Sequence, residues 1–234
     1  TGIGQLNRSH ILSGLHREIR RPMVLLCQDD LAARRLQEEL KDFLGTTAPI
    51  LPSRELTLYD AAVVSRSWEQ KRLRQLYALA AGQTRLQILS WEALSQRTMP
   101  PATLLQAAFR LETGTEYPID ALLSRLTASG YSRCSMVEGP GQFALRGGIV
   151  DIFSPGSPQP LRVEYWGDDV DSMGVFDTDS QRRTENVENF RILPAAEALT
   201  GLSPDGEADL LAALKQQAVR CRRRTDIGEQ MAGE

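Results

Sequence analysis

The sequence predicts an α/β fold in two parts, a parallel sheet covered by helices followed by an antiparallel α+β domain. Three observations predict it. Through the first hundred residues, short continuous apolar runs alternate with amphipathic stretches of helical period, the pattern of strand–helix units joined by right-handed crossovers. Near Met99, Pro100 and Pro101 the pattern changes. Closely spaced strand-like segments with Gly/Pro/Ser turns then follow, which is hairpin chemistry.

Taken in order, Pro22–Cys27 (PMVLLC) reads as a buried strand, being short, continuous and apolar. Asp29 and Asp30 start a helix that carries Leu36, Leu40, Phe43 and Leu44 at helical spacing and stops at Gly45. A second strand is expected around Ile50. Ser67 and Gln70 have capping-box spacing for a helix with Leu73, Leu76, Tyr77 and Ala80, ending at Gly82. Arg85–Ser90 is a third strand. In the second part, a helix with Ile119, Leu122, Leu123 and Leu126 on one face ends at Gly130, and the strands GQFALRG, GIVDIF, LRVEYW and MGVFD follow. A last helix is expected from about Asp205 to Arg224 with Leu210, Leu211, Leu214 and Ala218 inward. The expected boundaries are 1–105, 106–192 and an incomplete return segment, 193–234.

Composition narrows the function. The chain of 234 residues is 41% hydrophobic and 24% charged, ordinary for a globular protein. Its three cysteines lack CxxC spacing, which argues against a disulfide framework or a zinc site and for a reducing, cytoplasmic setting. There is no apolar run of membrane-spanning length and no signal-like start. A net charge of -3 weighs against a broad duplex-DNA footprint. The start at Thr1 and the tail RRRTDIGEQMAGE read as those of a fragment.

The opening TGIGQLNRSHILSGL stands where a phosphate-binding loop would begin a helix. A loop of the form GxxxxGK[ST] needs its second glycine for close backbone approach and its lysine for the β- and γ-phosphates. Counted from Gly2, those places hold Asn7 and Arg8, and only Ser9 keeps its type. No acidic pair follows a strand to hold magnesium, so no nucleotide cofactor is expected. His10 and His16 have no triad or metal partners in sequence, and Asp168, Asp169 and Asp171 read as a solvated turn rather than a calcium loop. No metal is expected.

Residues 130–182 carry an ordered pattern: Arg146 followed by Gly-Gly, then IVDIF, a Pro/Gly/Ser turn, PLRVEYW, Gly-Asp-Asp and a closing Gln-Arg. This stretch resembles the second domain of UvrB and of the transcription-repair coupling factors, and PMVLLCQDDLAARRLQEEL with RLQILSWEAL resembles their first, motor-like domain. The resemblance implies a degenerate RecA-like domain carrying an inserted UvrB domain 2-like docking domain. UvrB has an intact phosphate loop and an inserted DNA-gripping hairpin, whereas here the loop is degenerate and one helical stretch fills that interval, so the coupling factors fit better.

That family implies a non-catalytic adaptor that recruits a UvrA-type repair ATPase for nucleotide excision repair. Its contact positions match Arg146, Arg162 and, where phenylalanine is usual, Trp166. Elsewhere in the complete protein, the family implies an RNA-polymerase-binding domain and an ATP-driven DNA translocase. Strand alternation independently puts Arg162, Glu164 and Trp166 on one face and Leu161, Val163 and Tyr165 on the other. An exposed Trp beside Arg has the composition of an interface hot spot; the alternative is that Arg162 pairs with Glu164 or another surface carboxylate and Trp166 caps the core edge. Gly147 and Gly148 suggest a bulge or a close backbone approach. Two other functions stay open: a fragment of a UvrB-type ATP-dependent DNA-loading enzyme, and a nucleic-acid-binding module using Lys215, Arg220, Arg222, Arg223 and Arg224.

Overall fold

The computed structural model describes residues 4–19, 21–54, 66–199, 208 and 211–220. They fall into two units, Thr1–Glu197 and Ala198–Glu234.

The first unit opens with α1 (Gln5–Glu18), β1 (Met23–Cys27), α2 (Asp30–Leu44), β2 (Ile50–Leu51), α3 (Arg66–Ala80) and β3 (Leu86–Ser90). The three strands make a parallel sheet in the order β1-β3-β2, as alternating strands and helices require. Local chemistry sets the ends of α2. The Asp29 carboxylate accepts from Ala32 N at 2.7 Å, and Gly45 takes the left-handed φ of 70° while its N–H donates to Lys41 O. Ala33, Leu36 and Leu40 of α2 pack on Leu86 and Ile88 of β3.

Two expectations for this part are corrected. β1 is not buried on both faces: Met23, Leu25 and Cys27 face the α2 cluster, but Val24 and Leu26, on the opposite face, are 59% and 49% exposed. Ser67 is inside α3, not before it, and Gln70 donates across the fold to Pro140 O at 2.5 Å instead of capping the helix.

After two short helices, α4 (Trp91–Ser95) and α5 (Pro101–Ala107), come β4 (Phe109–Glu112), α6 (Ile119–Ala128), β5 (Ser132–Arg133), β6 (Gln142–Arg146), β7 (Ile149–Ile152), β8 (Leu161–Trp166), β9 (Asp169–Phe176), β10 (Arg183–Asn186) and β11 (Asn189–Ile192). A six-stranded sheet has the order β10-β9-β8-β7-β6-β5, antiparallel except for the β5–β6 pair. β11 pairs antiparallel with β4. Leu122 and Leu126 of α6 pack against Phe143, Val150, Ile152, Leu161, Val163 and Met173, so one face of the sheet is core. The other face carries the polar residues described below.

The end of the unit folds back on α3. Glu197 is buried against Arg72 and Arg54, and a Cβ on Gly130, at φ 84°, would meet Ala196 Cβ at 2.6 Å.

In the second unit, residues 211–220 are helical. Leu211 and Leu214 are about half exposed and Ala218 is exposed, which corrects the inward face expected for them; the described part of this unit holds no second element to cover it. Leu210 lies outside the described residues.

Candidate protein-docking face

β8 keeps strict alternation. Leu161 and Val163 enter the core with Tyr165 packed against it, while Arg162, Glu164 and Trp166 point to the opposite face. The irregularity between Glu164 and Tyr165 leaves Asp171 of β9 as the extra residue, because Glu164 pairs with Ser172 and Tyr165 with Val170. β8 thus keeps its phase while β9 absorbs the bulge.

Gly147 and Gly148 form a two-residue hairpin turn, with φ 60° at Gly147, and the expected bulge is absent. The close approach is present: a Cβ on Gly148 would stand 3.3 Å from Tyr165 O. This turn sets Arg146 opposite Ile149 and Ala144 opposite Asp151, and Asp151 stands opposite Arg162 on the next strand. Asp151, Arg162 and Arg146 therefore share the outer face.

Their side chains converge. Arg162 donates from Nε to Asp151 Oδ1 at 2.7 Å and from Nη2 to Oδ2 at 2.9 Å, a forked contact. Arg146 Nη2 reaches the same Oδ2 at 2.5 Å. Asp151 is 1% exposed, so two guanidiniums compensate a charge that is expensive to bury alone. The Asp151 hydrogen bonds push Arg162 above its ordinary pKa, against desolvation.

Arg162 is further held by Gln181 O, which accepts from Nη1 at 3.0 Å, and by the Phe176 ring, 4.4 Å beneath its guanidinium carbon. Gln181 reaches it from a left-handed conformation, φ 58°, which is uncommon for a residue with a Cβ. The closing Gln-Arg of the sequence pattern thus has a structural use: its glutamine brings a carbonyl to Arg162.

The three residues singled out in sequence share a face but are not equally displayed. Trp166 is 81% exposed, the Arg146 side chain 45% and the Arg162 side chain 16%. Arg162 pairs with Asp151, not Glu164, which is instead held by Arg183 at 2.8 Å and Ser172 at 3.0 Å. Sequence reasoning missed Asp151. The signal was available: a two-residue Gly-Gly turn fixes which residues of the two strands share a side, and a carboxylate between Val150 and Ile152 must lie opposite the core.

At the other candidate site, Asn7, Arg8 and Ser9 are inside α1, and Gly2 lies outside the described residues. Ser9 Oγ donates to Glu39 Oε2 at 2.5 Å and Arg8 lies 3.8 Å from the same oxygen. Lys215 and Arg220 are exposed on the helix of the second unit; Arg222, Arg223 and Arg224 lie outside the described residues. Among the described residues there is no cluster of His, Cys, Asp or Glu suited to a metal, and no helix long and apolar enough to cross a membrane.

Residues 109–197 match the UvrB interaction domain family. Over 207 residues the chain is 34% identical to a transcription-repair-coupling factor of Myxococcus xanthus, covering 85% of this chain and 17% of that protein. Over 176 residues it is 35% identical to the Escherichia coli factor, covering 75% of this chain and 15% of that protein. Over 200 residues it is 32% identical to the Bacillus subtilis factor, covering 85% and 17%. The chain spans about one sixth of the length of these relatives. It is a homologue of the transcription-repair-coupling factors, with residues 109–197 corresponding to the UvrB interaction domain.

Proposed function

We propose that this chain is a non-catalytic adaptor that recruits a UvrA-type repair ATPase, through the face bearing Arg146, Arg162 and Trp166, for nucleotide excision repair at stalled transcription. One observation carries the reading: the three residues lie on one sheet face, opposite the core, inside the segment that matches the UvrB interaction domain. Trp166 offers a flat apolar group to solvent on the same sheet face as two arginines, the residue types that dominate interface hot spots. Arg146 supplies the accessible donor, and Arg162 gives the face its charge from below.

The parallel-sheet part is assigned as a degenerate RecA-like domain, with no nucleotide cofactor. Ser9, the remaining phosphate-loop residue, has its hydroxyl on Glu39, and the positions of the missing glycine and lysine are already helical. This favours the adaptor over a UvrB-type loading enzyme. RNA polymerase and DNA are assigned to other parts of the complete protein, and the setting is the cytoplasm.

The test is capture of a cognate UvrA-type protein by the chain in solution, followed by calorimetric titration. Saturable binding lost in Trp166→Ala and Arg146→Ala supports the assignment. Unchanged binding by both folded variants overturns it.

A further inference from the structure

We infer that Asp151 is the positioning residue of the docking face, holding Arg162 and Arg146 in the geometry a partner meets. The inference rests on the docking role assigned to those arginines. At 1% exposure Asp151 cannot itself touch a partner, yet both guanidiniums end on its two oxygens. Arg162 fills the in-plane fork of the carboxylate, leaving Oδ2 to be shared with Arg146. Arg146 is nearly half exposed and comes from a strand end beside a Gly-Gly turn. Its guanidinium donates to the Asp151 carboxylate.

The charge balance points the same way. One carboxylate against two guanidiniums leaves an excess of one positive charge, and it is the more exposed Arg146 that can offer it outward. The partner group that suits it is a carboxylate at the rim of the contact, with an apolar surface against Trp166. Pre-ordering Arg146 reduces the rotamer entropy lost when that carboxylate arrives. Without Asp151 the long side chain would have to be ordered by the partner alone.

The test compares the chain with Asp151→Asn, Arg146→Ala and the double variant, titrated with the cognate UvrA-type protein. Asp151→Asn keeps shape and removes the charge. It is expected to weaken binding about tenfold, and the double variant should lose less than the sum of the two single losses, because part of the effect of Asp151 runs through Arg146. Fully additive losses, or unchanged binding by a folded Asp151→Asn, overturn the positioning role while leaving the docking face intact. Unchanged binding by Arg146→Ala together with Trp166→Ala overturns the docking face itself.

A measurement on the unaltered chain covers the case in which Asp151→Asn does not fold. Nitrogen-15 relaxation of the arginine Nε–H groups should show Arg146 as ordered as the backbone of β6. A freely rotating Arg146 side chain overturns the inference with no variant at all.

Discussion

The Glu197 carboxylate lies 3.1 Å from Nε of Arg72, and both side chains are closed to solvent. Arg54 reaches the same carboxylate at 2.7 Å from a side chain 41% exposed, and Arg72 Nη1 donates to Pro52 O at 2.7 Å. The last residue of the UvrB interaction domain match therefore secures α3 and the segment after β2. Burial pulls the Arg72 pKa below its ordinary value, with the Glu197 charge opposing that shift.

Removing one member of this pair strands the other. Glu197→Ala should lower the unfolding free energy by about 3 kcal/mol, the usual cost of leaving a buried charge uncompensated. Arg54→Ala, at the exposed end, should cost about 0–1 kcal/mol. Urea unfolding followed by circular dichroism measures both, and equal small losses would show that the pair does not hold the two parts together.

Tyr131, which is buried, and Tyr165, which is partly buried with its hydroxyl closed to solvent, should respond in opposite ways to loss of their hydroxyls. Tyr131 donates to Leu193 O at 2.6 Å, whereas the Tyr165 hydroxyl has no hydrogen-bond partner among the described residues. Tyr131→Phe leaves a buried carbonyl short of a donor and should cost about 1–3 kcal/mol; Tyr165→Phe removes an unsatisfied group and should be neutral or stabilising. The same urea curves separate them.

Alkali should unfold the chain through these phenols. Burial pushes both above the ordinary tyrosine value, Tyr165 to about 12. A folded pKa above the unfolded value of about 10 means the contribution is complete below about pH 10 and is lost as pH rises through about 12. Phenolate absorbance should rise together with loss of the fold. Ionisation of all the tyrosines near pH 10, with the fold intact, would contradict it.

Restoring letters should not restore a nucleotide site. Asn7→Gly combined with Arg8→Lys recreates the missing residues, but within α1 and beside a serine already bonded to Glu39. Calorimetry with Mg-ATP should show no saturable heat for either the native or the double-variant chain. Micromolar binding by the double variant would mean that side-chain identity alone had removed the site.

Trp166→Ala should weaken binding of the UvrA-type partner at least about tenfold, as loss of a central aromatic contact does, with the thermal midpoint nearly unchanged because the ring is 81% exposed. Arg162→Ala should also lower the midpoint, since it takes the forked partner from a buried carboxylate. A destabilised Trp166→Ala would mean the ring caps the core.

Legibility followed distance along the chain. The Asp29 cap and Gly45 stop of α2 are local and readable, as is the side of the sheet that Arg162 and Trp166 occupy. The pairing of β4 with β11, Asn189 opposite Glu112, was unread because short strands this far apart leave no periodic trace. Glu197 was not singled out from the sequence, since Arg72 becomes its partner only through the tertiary fold. Arg162 was expected at the surface because alternation gives a face, not a depth; the Phe176 ring and Asp151 that draw it inward come from neighbouring strands.

The six-stranded sheet follows the order of synthesis from β5 to β10, each strand laid beside the one before it. Its closures are short loops with small entropic penalties. The parallel sheet must instead wait for Leu86 to meet Met23, across everything between them. On a ribosome, the strands from Gln142 to Asn186 can therefore pair in the order in which they emerge, and their core closes once Ile192 and Ala195 follow.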